Sequence, residues 1–284
     1  MSRSAGNPES ASGIVGWYLF LTLAAAVFLL PFVWMISTAF KTPEQTMSFP
    51  PVFIPDPWTL RSFVEGLQRG LFGLYFRNSV VVTGLCVLGA AASSSIAGFG
   101  FARLDARLKN FWFVVLLGTM MIPATVTLIP VYVLYARIGW INTILPLVVP
   151  SFLGTHAFNI FLMRQFFLGI PKEIEESALI DGCPWWTIFY RIFLPTARPA
   201  LLVIMLFTFS RTWNDFFAPL IFLIDPQKYT VAVGLSFLKN PYGGATDWGP
   251  LMAMGLLSVA PVLILYVAAQ RYFVQGIVTT GLKN

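Results

Sequence analysis

Four carboxylates, Glu173, Glu175, Glu176 and Asp181, crowd one short polar stretch of a 284-residue chain in which only 11% of residues are charged. Acidic groups at that density suit a helix N-terminus or a basic partner surface. A second constellation is Arg211 and Asp215, four residues apart in an otherwise apolar run and therefore expected on one helical face. Charges inside such a run are costly in lipid and usually face a bundle interior or a wet cavity. The pair reads either as part of a translocation path or as a structural ion pair. Trp213 and Asn214 beside it would add an aromatic face and an amide, groups suited to sugars, or form a packing motif. One His and two Cys leave no catalytic arrangement to assign. His156 has no acidic partner in its own apolar run and reads as an interhelical hydrogen bond before a proton relay. Cys86 and Cys183 read as unpaired thiols. The sequence holds no G-x-x-x-x-G-K-[ST] phosphate cradle, so energy for any transport must come from a partner or a gradient.

The elements that position these groups follow from the intervals between charges. A helix needs about 20 apolar residues to cross the hydrocarbon core. Intervals 10–40, 78–102, 110–136, 138–163 and 248–270 are long enough, and 199–224 is interrupted only by Arg211 and Asp215. With 57% hydrophobic residues, the expectation is an all-α membrane protein with six transmembrane helices. The net charge of +6 points to lipid headgroups and not to nucleic acid. The expected organisation is a tail at 1–13, a first helix at 14–40, an external loop with an interfacial helix at 41–77, a core of five helices at 78–270, and a tail at 271–284. Arg103, Arg107 and Lys109 fill one short connection, which the positive-inside rule assigns to the cytoplasm; an even number of helices then places both termini there. Ala90, Ser94 and Gly98 form a small-residue packing face, and Pro123, Pro130, Pro146 and Pro150 break two adjacent helices.

The acidic stretch has its own punctuation. Pro171 suits the first position of a helix, Gly182 its left-handed end, and Pro184 the start of a second helix running to Leu194. Ile174, Ser177, Ala178 and Asp181 would share a shallow face on the first helix, which suits docking of a protein better than contact with an anionic lipid surface.

Glu176-Ser177-Ala178, then Gly182, then Ile192-Phe193-Leu194-Pro195 resemble the EAA loop of bacterial ABC importer permeases, with Ser177 in place of the usual Ala. NSVVVTGL at Asn78, FARL at Phe101, MIPATVTLIPVYVL at Met121, INTILPLVVP at Ile141, WNDF at Trp213 and the C-terminal AQRYFVQGIVTTGLKN resemble the carbohydrate-uptake branch, of the maltose-type inner permease. The resemblance implies a type I importer permease fold, multi-pass in the bacterial inner membrane. It implies a second permease subunit as heterodimer partner, a cytoplasmic ATPase dimer that holds the ATP and Mg, an external solute-binding protein, and no cofactor in this chain. The coupling loop 171–195 would engage the ATPase through Glu173, Glu176, Ser177, Ala178, Asp181, Gly182, Ile192, Leu194 and Pro195. The GLKN tail resembles tails that reach toward the ATPase dimer. The implied cargo is a sugar, oligosaccharide or related polyhydroxy solute, with glycerol phosphodiesters or polyamines as alternatives; a gradient-driven carrier is the rival outside that class.

Overall fold

The computed structural model describes the backbone of residues 11–69, 71–238 and 246–281, and the side chains of 14–68, 71–238 and 246–270. Helices follow one another along the chain: α1 (Ala11–Ala39), α2 (Pro43–Thr46), α3 (Arg61–Arg69), α4 (Phe72–Arg103), α5 (Lys109–Thr119), α6 (Ala124–Arg137), α7 (Leu145–Phe152), α8 (Ala157–Leu168), α9 (Lys172–Ile180), α10 (Trp185–Ile188), α11 (Leu194–Thr196), α12 (Arg198–Trp213), α13 (Phe217–Phe222), α14 (Val231–Leu238) and α15 (Trp248–Gly281). No strand occurs among the described residues. The expected tails lie wholly or partly outside the described residues, as does the C-terminal GLKN beyond Gly281.

Among the described residues four stretches are long and apolar enough to cross a membrane: Ile14–Ala39, Phe72–Arg103, Leu145–Leu168 and Trp248–Gln270. The count becomes six when each of two bent pairs is taken as one span, Lys109–Thr119 with Ala124–Arg137 at 99° and Trp185–Thr196 with Arg198–Trp213 at 75°. Pro123 supplies the first break, sitting in extended conformation just before α6. Several boundaries differ from the charge intervals, among them 138–163, where the span runs Leu145–Leu168. Helix α4 begins at Phe72, so Arg77 sits inside the helix, because a charge near a membrane end does not stop backbone hydrogen bonding. The interval 199–224 stops at Trp213, where Asn214 caps α12 and the chain turns before α13.

The structure divides into two compact units, residues 1–69 with 238–257, and 70–237 with 258–284. In the first unit, α1 is apolar on all sides, and Phe28 is 76% exposed, as expected of a lipid-facing helix. Thr42 and Gln45 close a capping box on α2. Helix α3 packs through Gly66 against Met254, where an added Cβ would meet the Met254 side chain at 2.8 Å. Lys41, at the start of the expected external loop, is 1% exposed: its Nζ lies 3.8 Å from the centre of the Trp34 ring and donates to Thr38 Oγ1 at 3.4 Å. Burial pushes its pKa below the usual lysine value.

In the second unit α4 is the central post, touching α7, α8 and α12. Its small-residue face does what the spacing predicts. Ala90 and Ser94 are buried, and at Gly98 an added Cβ would stand 2.6 Å from Met163 Cβ and 3.0 Å from the Arg164 backbone nitrogen on α8. Ser93 Oγ donates to Ser151 O at 2.8 Å and ties α4 to α7. Because Arg164 N is backbone and cannot rotate away, Gly98→Leu is expected to cost about 1–3 kcal/mol or more by overpacking. A lower unfolding midpoint of the purified membrane protein would show it.

Candidate functional site

The acidic stretch folds as a helical knob on a buried mount. Pro171 is extended, with φ −56° and ψ 139°, and stands one place before the first turn of α9. The helix ends in a Schellman motif. Cys183 N donates to Ala178 O at 2.9 Å and Gly182 N to Leu179 O at 3.0 Å, while Gly182 takes φ +78°. Glu173, Glu176, Ser177, Asp181 and Gly182 are exposed, and Ser177 Oγ donates to Ile174 O at 3.0 Å. The expected face therefore splits. Ile174, Ser177 and Asp181 point outward, whereas Ala178 is buried against a core that includes Phe99, Phe167 and Phe193. Positions 175 and 178 share the inward side by three-residue spacing, and a small residue at 178 lets the helix lie close.

After Pro184 the chain is not one regular helix to Leu194. Helix α10 widens into a π-helical turn, Phe189–Phe193, before α11. That turn drives Phe189 and Phe193 inward, each with its ring centre 5.1 Å from that of Phe99. Ile192 and Leu194 are half-buried against the same core, and Pro195 is exposed in α11. These three positions shape the mount and stand apart from the exposed acidic face.

Arg103 joins the knob to the helices behind it, a role that its place in a basic loop concealed. Its side chain is 2% exposed. Nη1 donates to Glu175 Oε1 at 3.3 Å, and Nη2 donates to Phe167 O at 2.5 Å and to Ile170 O. The guanidinium also lies 5.0 Å from the Phe193 ring centre. One group thus meets the end of α8, the first half of α9 and the π turn. Glu175 and Asp181 both fall three residues from the inward Ala178, so spacing alone did not single out Glu175.

A cavity of 1020 Å³ lies among α4, α6, α7, α8, α12 and α13, and both Arg211 and Asp215 line it. It sits about 20 Å along α12 from Arg198, at a rise of about 1.5 Å per residue. The two charges do not pair. Asp215 lies beyond the end of α12, and its Oδ1 accepts from the N–H groups of Phe217 at 3.0 Å and Ala218 at 3.2 Å, capping α13. Arg211 Nη1 lies 3.5 Å from His156 Nδ1, and His156 Nε2 lies 3.3 Å from Ser151 Oγ. Asn159 Nδ2 donates to Thr208 Oγ1 at 3.4 Å, across α8 and α12. His156 thus makes the interhelical contact its surroundings suggested. Trp213 and Asn214, expected beside the path, do not line the cavity. Trp213 is 4% exposed, stacks on Phe209 with 5.5 Å between centres, and donates Nε1–H to Ser258 O at 2.9 Å. Asn214 Nδ2 donates to Ser210 O at 2.8 Å and closes α12. Residues adjacent in sequence at a helix end point in different directions, so W-N-D divides between packing, cap and cavity. Cys86 and Cys183 are free.

Residues 91–279 match the family described as binding-protein-dependent transport system inner membrane component. The chain is 36% identical to the probable ABC transporter permease protein YurM of Bacillus subtilis (strain 168), over 94% of this chain and 87% of that protein. It is 31% identical to the arabinooligosaccharides transport system permease protein AraQ of Halalkalibacterium halodurans, over 97% of this chain and 99% of that protein. In fold it is similar to a chain of a bacterial ABC transporter involved in import of the acidic polysaccharide alginate, with a TM-score of 0.84, 22% identity, and coverage of 96% of this chain and 100% of that one. The chain belongs to the family of binding-protein-dependent transport system inner membrane components, and it is a transport permease subunit and not an enzyme.

Proposed function

We propose that this chain pairs with a second permease subunit, docks a cytoplasmic ATPase dimer on the α9 knob, and passes a saccharide from an external binding protein through the α12 cavity. The observation that carries the reading is the knob. Its exposed carboxylates stand on a buried ion pair, so a push on the outer face of α9 is transmitted to α4 and α8 and not lost in a loose loop. ATP and Mg belong to the partner ATPase, and both termini of this chain lie on the ATPase side. The saccharide class is supported by the relative whose name specifies arabinooligosaccharides. A gradient-driven carrier is set aside by membership of a binding-protein-dependent family.

The docking role has a direct test in the reconstituted complex. Glu176 is exposed, and its side chain forms no hydrogen bond or ion pair among the described residues. Glu176→Lys is expected to lower solute-stimulated ATP hydrolysis at least tenfold, with the complex present in the membrane at normal levels. Full stimulation in that variant would overturn the reading.

A further inference from the structure

We propose that the cavity wall around Arg211 is an anion subsite, and that the solute is an acidic saccharide whose carboxylate it meets. The inference rests on the reading of this cavity as the solute path. Arg211 lies in the last turn of an apolar helix, exposed, and lining the cavity. A guanidinium at membrane depth is costly unless a counter-charge meets it. Among the described residues no ion pair forms with Arg211. Asp215 is the one carboxylate on the lining, and two backbone N–H groups at the start of α13 already hold its Oδ1.

The other neighbour of Arg211 strengthens the case. A guanidinium has no acceptor, so the His156 Nδ1 at 3.5 Å must accept from it. In that tautomer the imidazole is neutral and its Nε2–H is free to donate to Ser151 Oγ, 3.3 Å away. It steadies one edge of the guanidinium without cancelling its charge. The remaining N–H groups form a planar fork that fits a carboxylate in bidentate fashion. Thr208 and Thr212 add hydroxyls on the same wall, and the half-exposed rings of Phe158 and Phe207, 6.3 Å apart, offer an apolar surface to the C–H face of a sugar ring. A volume of 1020 Å³ has room for a short oligosaccharide. A neutral saccharide would offer the guanidinium hydroxyl dipoles and no charge, and a polyamine would be repelled by it.

The test uses the complete transporter with its binding protein in proteoliposomes. It is supplied with a mixture of neutral and uronate-bearing oligosaccharides from partial hydrolysates of starch, arabinan, pectin and alginate, and the ATP-dependent contents are read by mass spectrometry. The expected result is selective accumulation of carboxylate-bearing species, lowered at least tenfold by Arg211→Gln and largely restored by Arg211→Lys. Accumulation of neutral species alone, with Arg211→Gln within twofold of the parent, would overturn the anion subsite while leaving the transport reading intact. Loss of the second permease from purified Arg211→Gln complex would also overturn it, by showing that the charge serves assembly. Failure of the parent complex to accumulate any saccharide would instead sink the underlying saccharide reading.

Discussion

Arg103→Leu is expected to destabilise the protein by about 3–5 kcal/mol, and to abolish coupling between solute and ATP hydrolysis even where the protein survives in the membrane. The substitution leaves the Glu175 carboxylate buried without its cation, and leaves the Phe167 and Ile170 carbonyls without their donor. Glu175→Gln is a milder change. It keeps an oxygen opposite Nη1, while the guanidinium retains both carbonyls, so its cost should be that of weakening one charge-assisted bond, about 1.5–3 kcal/mol. The order of the two effects is the discriminating feature. Exchanging the charges, with Arg103→Glu and Glu175→Arg together, should not restore stability, because a side chain starting from α9 would have to make the carbonyl contacts from the wrong helix. Unfolding midpoints of the three variants, with the ratio of solute-stimulated to basal ATP hydrolysis, measure both consequences. Equal losses from Arg103→Leu and Glu175→Gln would mean that the ion pair alone matters and the carbonyl contacts do not.

The pair is not built for maximal stability, which argues for a positioning role. Arg103 Nε and Glu175 Oε2 are both buried without a hydrogen bond. A buried ion pair of this kind often contributes less than apolar packing would, and what it adds is a single allowed arrangement. Here that arrangement fixes α9 relative to the end of α8 and the π turn.

Gly182→Val should produce the second large effect, of a different kind. No heavy atom lies within 4 Å of where a Cβ would sit at Gly182, so sterics from the rest of the fold do not forbid a side chain. The backbone does. At φ +78° an L-residue pays about 1–2 kcal/mol, and a β-branched one more. The chain is expected to relieve that strain by opening the Schellman bonds from Cys183 and Gly182, which re-aims the entry to α10 and turns the exposed acidic face. Loss of solute-stimulated ATP hydrolysis is expected at tenfold or more, with little change in the unfolding midpoint of the transmembrane helices. Gly182→Asn should retain more activity than Gly182→Val, since Asn tolerates the left-handed region. If Val and Asn behave alike, the conformation of residue 182 is not what matters.

Local rules read well where one residue type answers one backbone demand. Gly182 takes the left-handed end that its place after an acidic helix predicts, and Gly98 lets α4 lie close against α8. Apolar length read equally well, because the bilayer imposes a fixed span and the gaps between charges report it. The bend within each broken pair, the π turn at Phe189–Phe193 and the inward side of Ala178 were not legible. Each depends on which neighbour occupies the space beside a helix, and spacing along one segment carries no record of that neighbour.

The same division runs through the chemistry. A chain with 11% charged residues, a carboxylate cluster and two charges within an apolar run already specified a membrane protein, an acidic helical loop and one polar position along α12, because burying a charge in lipid is too costly to happen by chance. What each charge touches depends on residues far apart in the chain. Arg103 meets Glu175 across 72 positions, and Arg211 meets His156 across 55. Trp213, Asn214 and Asp215 follow one another yet go to a core, a cap and a cavity wall, since a helix end sends consecutive side chains in different directions and packing selects among them.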